Sequence, residues 1–246
     1  MTNSFEIRKD VDLPVSPEQV WHAVATPEGQ AGWSPDPYME SEDLDIVEER
    51  PSRFVVRTPE DAHGAFHAFE YQIQPLDEGS RLTFIHSGDL GNDWQSDFDY
   101  AEITGYGWNL YMHTLKQYLT YFAGRPAVYV AAQAPDHANT HQAWQQLEQA
   151  LGLPDGSAQF TVGDEIRLEP SGLSVIEGII DYVEPGEDFL AVRSQDGLYR
   201  FHSLERIGMP VALGHYRYGA ALQPLDEEQR KTEEQAWQAW LQNVFA

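Results

Sequence analysis

Over residues 101–122 the side chains Tyr106, Trp108, Tyr111, Met112, Leu115 and Leu119 recur at helical spacing, which predicts one long helix with an aromatic-rich stripe. Gly124-Arg125-Pro126 ends it. So heavy a stripe must be covered, and the residues before it supply the cover. Residues 66–74 alternate, with His67, Phe69, Tyr71 and Ile73 on one face and Ala68, Glu70 and Gln72 on the other. A turn at Leu76-Asp77-Glu78-Gly79 leads into a second alternating strand, where Leu82, Phe84 and His86 share a face. Residues 44–48 and 53–57 flank Arg50-Pro51-Ser52 as a hairpin, and residues 5–12 form a first strand. Between that strand and the hairpin, Ser16 and Pro17 cap a short helix to about Ala25. Thr26-Pro27-Glu28-Gly29 starts another that reaches Trp33 and closes at Ser34-Pro35-Asp36-Pro37. The order predicts an α+β fold: a curved antiparallel sheet wrapped around the last helix.

The second half repeats this order. A strand at 127–133 precedes a helix opened by Pro135-Asp136 and bearing Trp144, Leu147 and Leu151. Leu153-Pro154-Asp155-Gly156-Ser157-Ala158-Gln159-Phe160 then echoes the stretch from Thr26 to Trp33. Strands follow at 159–162, 165–168, 174–184, 188–194, 199–207 and 212–222, with turns at Pro185-Gly186 and Asp196-Gly197. A helix from about Asp226 carries Trp237, Trp240, Leu241, Val244 and Phe245. Two units, 1–125 and 126–246, are therefore expected as a tandem duplication; the competing reading is one larger domain with a coincident order of elements.

Composition narrows the function classes. The chain has 246 residues and no cysteine, which excludes disulfides, thiolate nucleophiles and zinc-thiolate sites. Forty Asp and Glu oppose fifteen Lys and Arg, a net charge of -25, so the surface repels nucleic-acid backbones and anionic lipids. No stretch approaches the roughly 20 apolar residues of a membrane span, and the N-terminus lacks a basic-then-apolar leader. The expected location is the cytoplasm. The acidity serves solubility or adaptation to high salt.

The opening Val11-Asp12-Leu13-Pro14-Val15-Ser16-Pro17-Glu18-Gln19-Val20-Trp21, then Thr26-Pro27-Glu28-Gly29 and Trp33, resembles the entry into START-like, or SRPBCC, domains. The hairpin ending Phe84-Ile85-His86-Ser87-Gly88 and the Gly107-Trp108 pair are similar to its AHSA-type branch, named for an activator of a heat-shock chaperone's ATPase. The resemblance covers about residues 4–124; the second half matches in element order, as a possible degenerate copy. It implies a helix-grip fold with a cavity between sheet and last helix. Such cavities take lipids, polyketides, hormones or other apolar ligands, whereas the chaperone activator's domain docks a protein.

Trp33, Phe69, Tyr71, Phe84, His86, Trp94, Tyr106, Trp108 and Tyr111 are the candidate ligand-binding residues. The same aromatics equally suit a packed core, and an inward His86 is more often structural than functional. His137 and His141 stand four apart in an expected helical turn, but no third metal ligand is evident. The acidic loop with Asp89, Asp93, Asp97, Asp99 and Glu102 lacks calcium-loop spacing and reads as a solvated rim. No nucleophile elbow or phosphate loop is present, and no cofactor, metal or catalytic residue is assigned. The expected function is non-enzymatic binding of a small hydrophobic or aromatic ligand. The alternatives are a polyketide cyclase or hydratase using His86, and a co-chaperone-like module with a protein partner.

Overall fold

A computed structural model describes residues 3–35, 43–96, 99–183, 188–219 and 226–246. The chain divides into two compact units, Met1–Pro126 and Ala127–Ala246.

In the first unit β1 (Ser4–Leu13) leads into α1 (Pro17–Ala25) and α2 (Pro27–Gln30), then β2 (Asp45–Glu49), β3 (Arg53–Arg57), β4 (Phe66–Pro75) and β5 (Ser80–Asp89). Helix α3 (Tyr100–Gln117) follows and widens into a π-helical turn at Tyr118–Phe122. The antiparallel sheet runs β1-β5-β4-β3-β2, so the first strand pairs with the last. Alternation sets its inner face: Phe69, Tyr71 and Ile73 of β4 and Leu82, Phe84 and His86 of β5 are all buried. Helix α1 starts where the Ser16 side chain accepts the Gln19 N–H and Gln19 answers the Ser16 N–H, a reciprocal cap. Asp99 of the acidic loop caps α3, accepting the Glu102 N–H at 3.0 Å.

The second unit has β6 (Ala127–Gln133), α4 (His141–Ala150), β7 (Glu165–Leu168), β8 (Ile176–Tyr182), β9 (Phe189–Ser194), β10 (Gly197–Leu204), β11 (Met209–Tyr218) and α5 (Glu227–Val244). Its antiparallel sheet runs β6-β11-β10-β9-β8-β7. The first strand again pairs with the last, the rest form a meander, and a helix closes the unit. Trp237, Trp240, Leu241 and Phe245 of its last segment are buried in the core with Phe201 and Leu213.

Four expectations change. The second-unit helix begins at His141, because Thr140 accepts the Ala143 N–H, while Pro135-Asp136 only closes a turn through Ala138 N–H to Pro135 O. Residues 159–162 are not a strand: Asp164 Oδ2 takes the Thr161 N–H and hydroxyl, and Gly163 follows at φ +103°. The stretch from Leu153 to Phe160 forms turns where its echo at Pro27–Gln30 is helical, since the Glu148 carboxylate captures Ser157 N–H and hydroxyl. Strand β8 is shorter than expected, and β10 and β11 each start and end earlier than expected. The expected features at Asp36-Pro37, Asp97, Glu184, Pro185-Gly186 and Leu222 lie outside the described residues.

Candidate functional site

Where β5 faces α3, the Trp108 indole Nε1–H donates to His86 Nδ1 at 3.0 Å. Across the strand pair, His86 Nε2 stands 3.0 Å from His67 Nδ1. An indole nitrogen only donates, so His86 Nδ1 must accept and its proton sits on Nε2. That proton is donated to His67 Nδ1, which places the His67 proton on its own Nε2. The chain of bonds therefore has one direction, from Trp108 through His86 to His67. Burial, with His67 adjacent, pushes His86 down to about 3, and burial also lowers His67. Both rings are neutral near pH 7, as the directed chain requires.

Aromatic rings enclose the chain. Phe69 stacks on His86 at 4.5 Å, and Phe84 meets Trp108 at 4.2 Å. His86 is buried, whereas His67 is half-buried and borders Phe5 (5.7 Å) and Tyr100 (6.3 Å). Beyond Tyr100, Trp94 packs edge-on at 5.7 Å and stays 37% exposed beside a hollow of about 570 Å³ that Asn3, Gln95 and Ser96 complete. Buried donor and exposed rim are thus linked through His67.

The nine candidate residues do not all converge. Phe69, Phe84, His86, Trp108 and Tyr111 form one ring cluster, Tyr111 meeting Trp108 at 5.6 Å. Tyr71 extends it inward through Phe84 at 5.1 Å. Trp94 belongs to the rim. Trp33 packs elsewhere, donating its indole N–H to Ala23 O at 2.9 Å behind α1. Tyr106 lies on the side of α3 towards β1, in a shallow hollow of about 240 Å³ with Glu6, Ile7 and Lys9. His137 and His141 diverge: His137 Nε2 meets Phe245 O at 3.1 Å, and His141 Nδ1 meets Asp188 at 3.0 Å. Among the described residues no group of three or more side chains could hold a metal ion.

Residue-by-residue reading misses the counterpart in the second unit. His215 on β11 packs edge-on to Trp237 on α5, with ring centroids 4.9 Å apart. Trp108 follows His86 by 22 residues. Trp237 follows His215 by the same interval, so comparing spacings between the halves would have found it. Tyr199 replaces Phe69 beside the histidine, at 4.9 Å. Burial and the Arg200 guanidinium push His215 down to about 3.

No family model and no curated protein matches the sequence. Solved structures do resemble it. The Aha1 dimer from Colwellia psychrerythraea is 16% identical over 47% of this chain and 96% of its own, with a TM-score of 0.34. An AHSA1-like protein from Rhizobium etli is 20% identical over 50% of this chain and 85% of its own, at 0.34. DynU16, from the dynemicin biosynthetic locus, is 14% identical over 98% of this chain and 96% of its own, again at 0.34. In both units the first strand pairs with the last, helix separates the first two strands and a helix closes the unit, and by that architecture the chain is a tandem of two helix-grip units.

Proposed function

We propose that the protein binds a small, largely apolar or aromatic ligand at the first unit, seated on the rim of Phe5, Trp94 and Tyr100 and held by the Nε2–H of His67. The supporting observation is the directed chain from Trp108 through His86 to His67, which carries a hydrogen-bond donor from a buried indole to a half-buried position among aromatic rings. Apolar walls with one placed polar group are the usual make-up of small-molecule sites. The cluster of Phe69, Tyr71, Phe84, Trp108 and Tyr111 backs that donor and fixes its orientation.

Binding is favoured over catalysis by the same geometry. A general base at neutral pH needs a carboxylate partner or a poised pKa. His86 instead lies between an indole and a second imidazole and is pushed down to about 3. Native mass spectrometry of freshly purified protein tests the proposal. The expected result is a co-purified small molecule, lost in His67→Phe. An unliganded mass, together with no shift of the Trp108 indole resonance at millimolar 2-naphthol, would overturn it.

A further inference from the structure

The second unit keeps the histidine and tryptophan of the first but not the acceptor between histidine and rim. His67 stands opposite Gly88 in the β4–β5 ladder, and Gly197 stands opposite Arg217 in the β10–β11 ladder. The large residue has changed strands. Gly197 has no side chain to receive a proton from His215, and Arg217 occupies the rim instead, 5.0 Å above the Tyr199 ring.

His215 is fully buried, and its Nδ1 accepts the Arg200 backbone N–H at 3.2 Å. Its ring proton is therefore on Nε2, and that atom has no hydrogen-bond partner among the described residues. Arg217 Nη1 is likewise buried without a partner. Buried donors are rarely left so, because the lost hydration goes uncompensated. Both lie on one face of β11, two residues apart. Beside Arg217 a hollow of about 540 Å³ opens, lined also by Leu173, Ile176, Tyr199, Glu233 and Trp237, while the fully buried His215 stays outside its lining. Tyr199 and Trp237 are also the rings that flank His215, each at 4.9 Å.

We infer that this hollow is a second binding site, for a neutral planar molecule whose carbonyl oxygen or ring nitrogen accepts from Arg217 Nη1–H between Tyr199 and Trp237. Neutrality follows from the surroundings of Arg217. Its Nε is 2.8 Å from Glu233 and its Nη2 is 3.0 Å from Asp196, so its charge is already met twice over. An anion would add a third negative group to the cluster. The aromatic walls supply stacking surface, and the Arg217 donor supplies selectivity for an acceptor. This site does not depend on the one proposed for the first unit.

Titrating the full chain with coumarin, naphthalene and 2-naphthoate, followed by tryptophan fluorescence and by the His215 Nε2–H resonance, tests the inference. Coumarin should bind saturably and shift that resonance. Naphthalene, which lacks the acceptor, and 2-naphthoate, which is charged, should each bind at least about tenfold more weakly, the loss expected when a paired donor is left unmet. Arg217→Met should bring coumarin to the naphthalene affinity. Arg217→Lys, which keeps a cation for Glu233 but lacks Nη1, should do most of the same while preserving the fold. Equal affinity for coumarin and naphthalene, no saturable coumarin binding, or an affinity unchanged in both variants would overturn the proposal. His67→Phe reports on the first unit alone, so the failure of one site is distinguishable from the failure of the other.

Discussion

A histidine held neutral inside the fold makes stability depend on pH, and His86 shows the sign. Its folded pKa of about 3 lies below the ordinary 6.5, so the unfolded chain binds a proton there that the folded chain refuses. Stability from this group is complete above about 6.5 and falls as the pH drops towards 3. His215 behaves alike, also at about 3, so the two add to the same slope. His86→Gln isolates one of them, since an amide can accept from Trp108 and donate to His67 without titrating. In 1 M KCl, where surface repulsion is screened, the slope of unfolding free energy between pH 6 and 4.5 should fall by about 1.4 kcal/mol per pH unit, the value of one proton. Denaturant melts across that range measure it, and an unchanged slope would show that His86 charges in the folded state.

At the scale of elements, two glycines identical in composition terms have opposite meanings. A Cβ on Gly29 of α2 would lie 2.1 Å from His22 O and 2.6 Å from Ala23 Cα, both backbone atoms of α1 that cannot turn aside. Gly29→Ala should therefore cost about 3 kcal/mol, the upper end of overpacking penalties. A Cβ on Gly107 of α3 meets nothing within 4 Å, and Gly107→Ala should stabilise by about 0.5–1 kcal/mol through helix propensity. Denaturation midpoints of the two variants should move in opposite directions; a shared direction would refute the packing of α2 on α1. Legibility differs between elements for similarly local reasons. Alternation alone places Phe69, Tyr71, Phe84 and His86 inward, and Asp226 before a helical run marks the start of α5, where it forms a reciprocal cap with Gln229. Pro135-Asp136 looks like a helix start in sequence, yet the real cap is Thr140, five residues beyond the proline. Residues 159–162 are expected as a strand for Phe160, Thr161 and Val162, but the Asp164 side chain and Gly163 turn them. The bond between His67 and His86 is hidden from sequence because it depends on strand register, which alternation does not give.

For the whole molecule, the tandem arrangement and the charge set the remaining behaviour. The halves share strand order, closing helix and the interval from histidine to tryptophan, while the rim residue differs, His67 in one and Arg217 in the other. Shared scaffold with divergent rims is what two sites for different ligands would need. Around this scaffold lie forty acidic groups and fifteen basic ones. Many arginines are already engaged, as in the fork of Arg81 on Asp12 at 2.7 and 2.8 Å and the buried pairing of Arg200 with Asp181 at 2.9 and 2.7 Å. Salt weakens exposed pairs such as Arg81 with Asp12, which contribute little, and scarcely touches buried ones. It also weakens repulsion among carboxylates that have no base to meet them, and the excess of 25 negative charges makes that the larger effect. The screening length shrinks from about 10 Å at 0.1 M to about 3 Å at 1 M, shorter than the spacing of neighbouring surface charges. The melting temperature should accordingly rise by about 5 °C between those concentrations of KCl, corresponding to roughly 1–2 kcal/mol for a chain of this size. Calorimetry at fixed pH 7.5 decides it. A flat or falling midpoint would mean that the exposed ion pairs outweigh the repulsion, and that the acidity serves solubility alone.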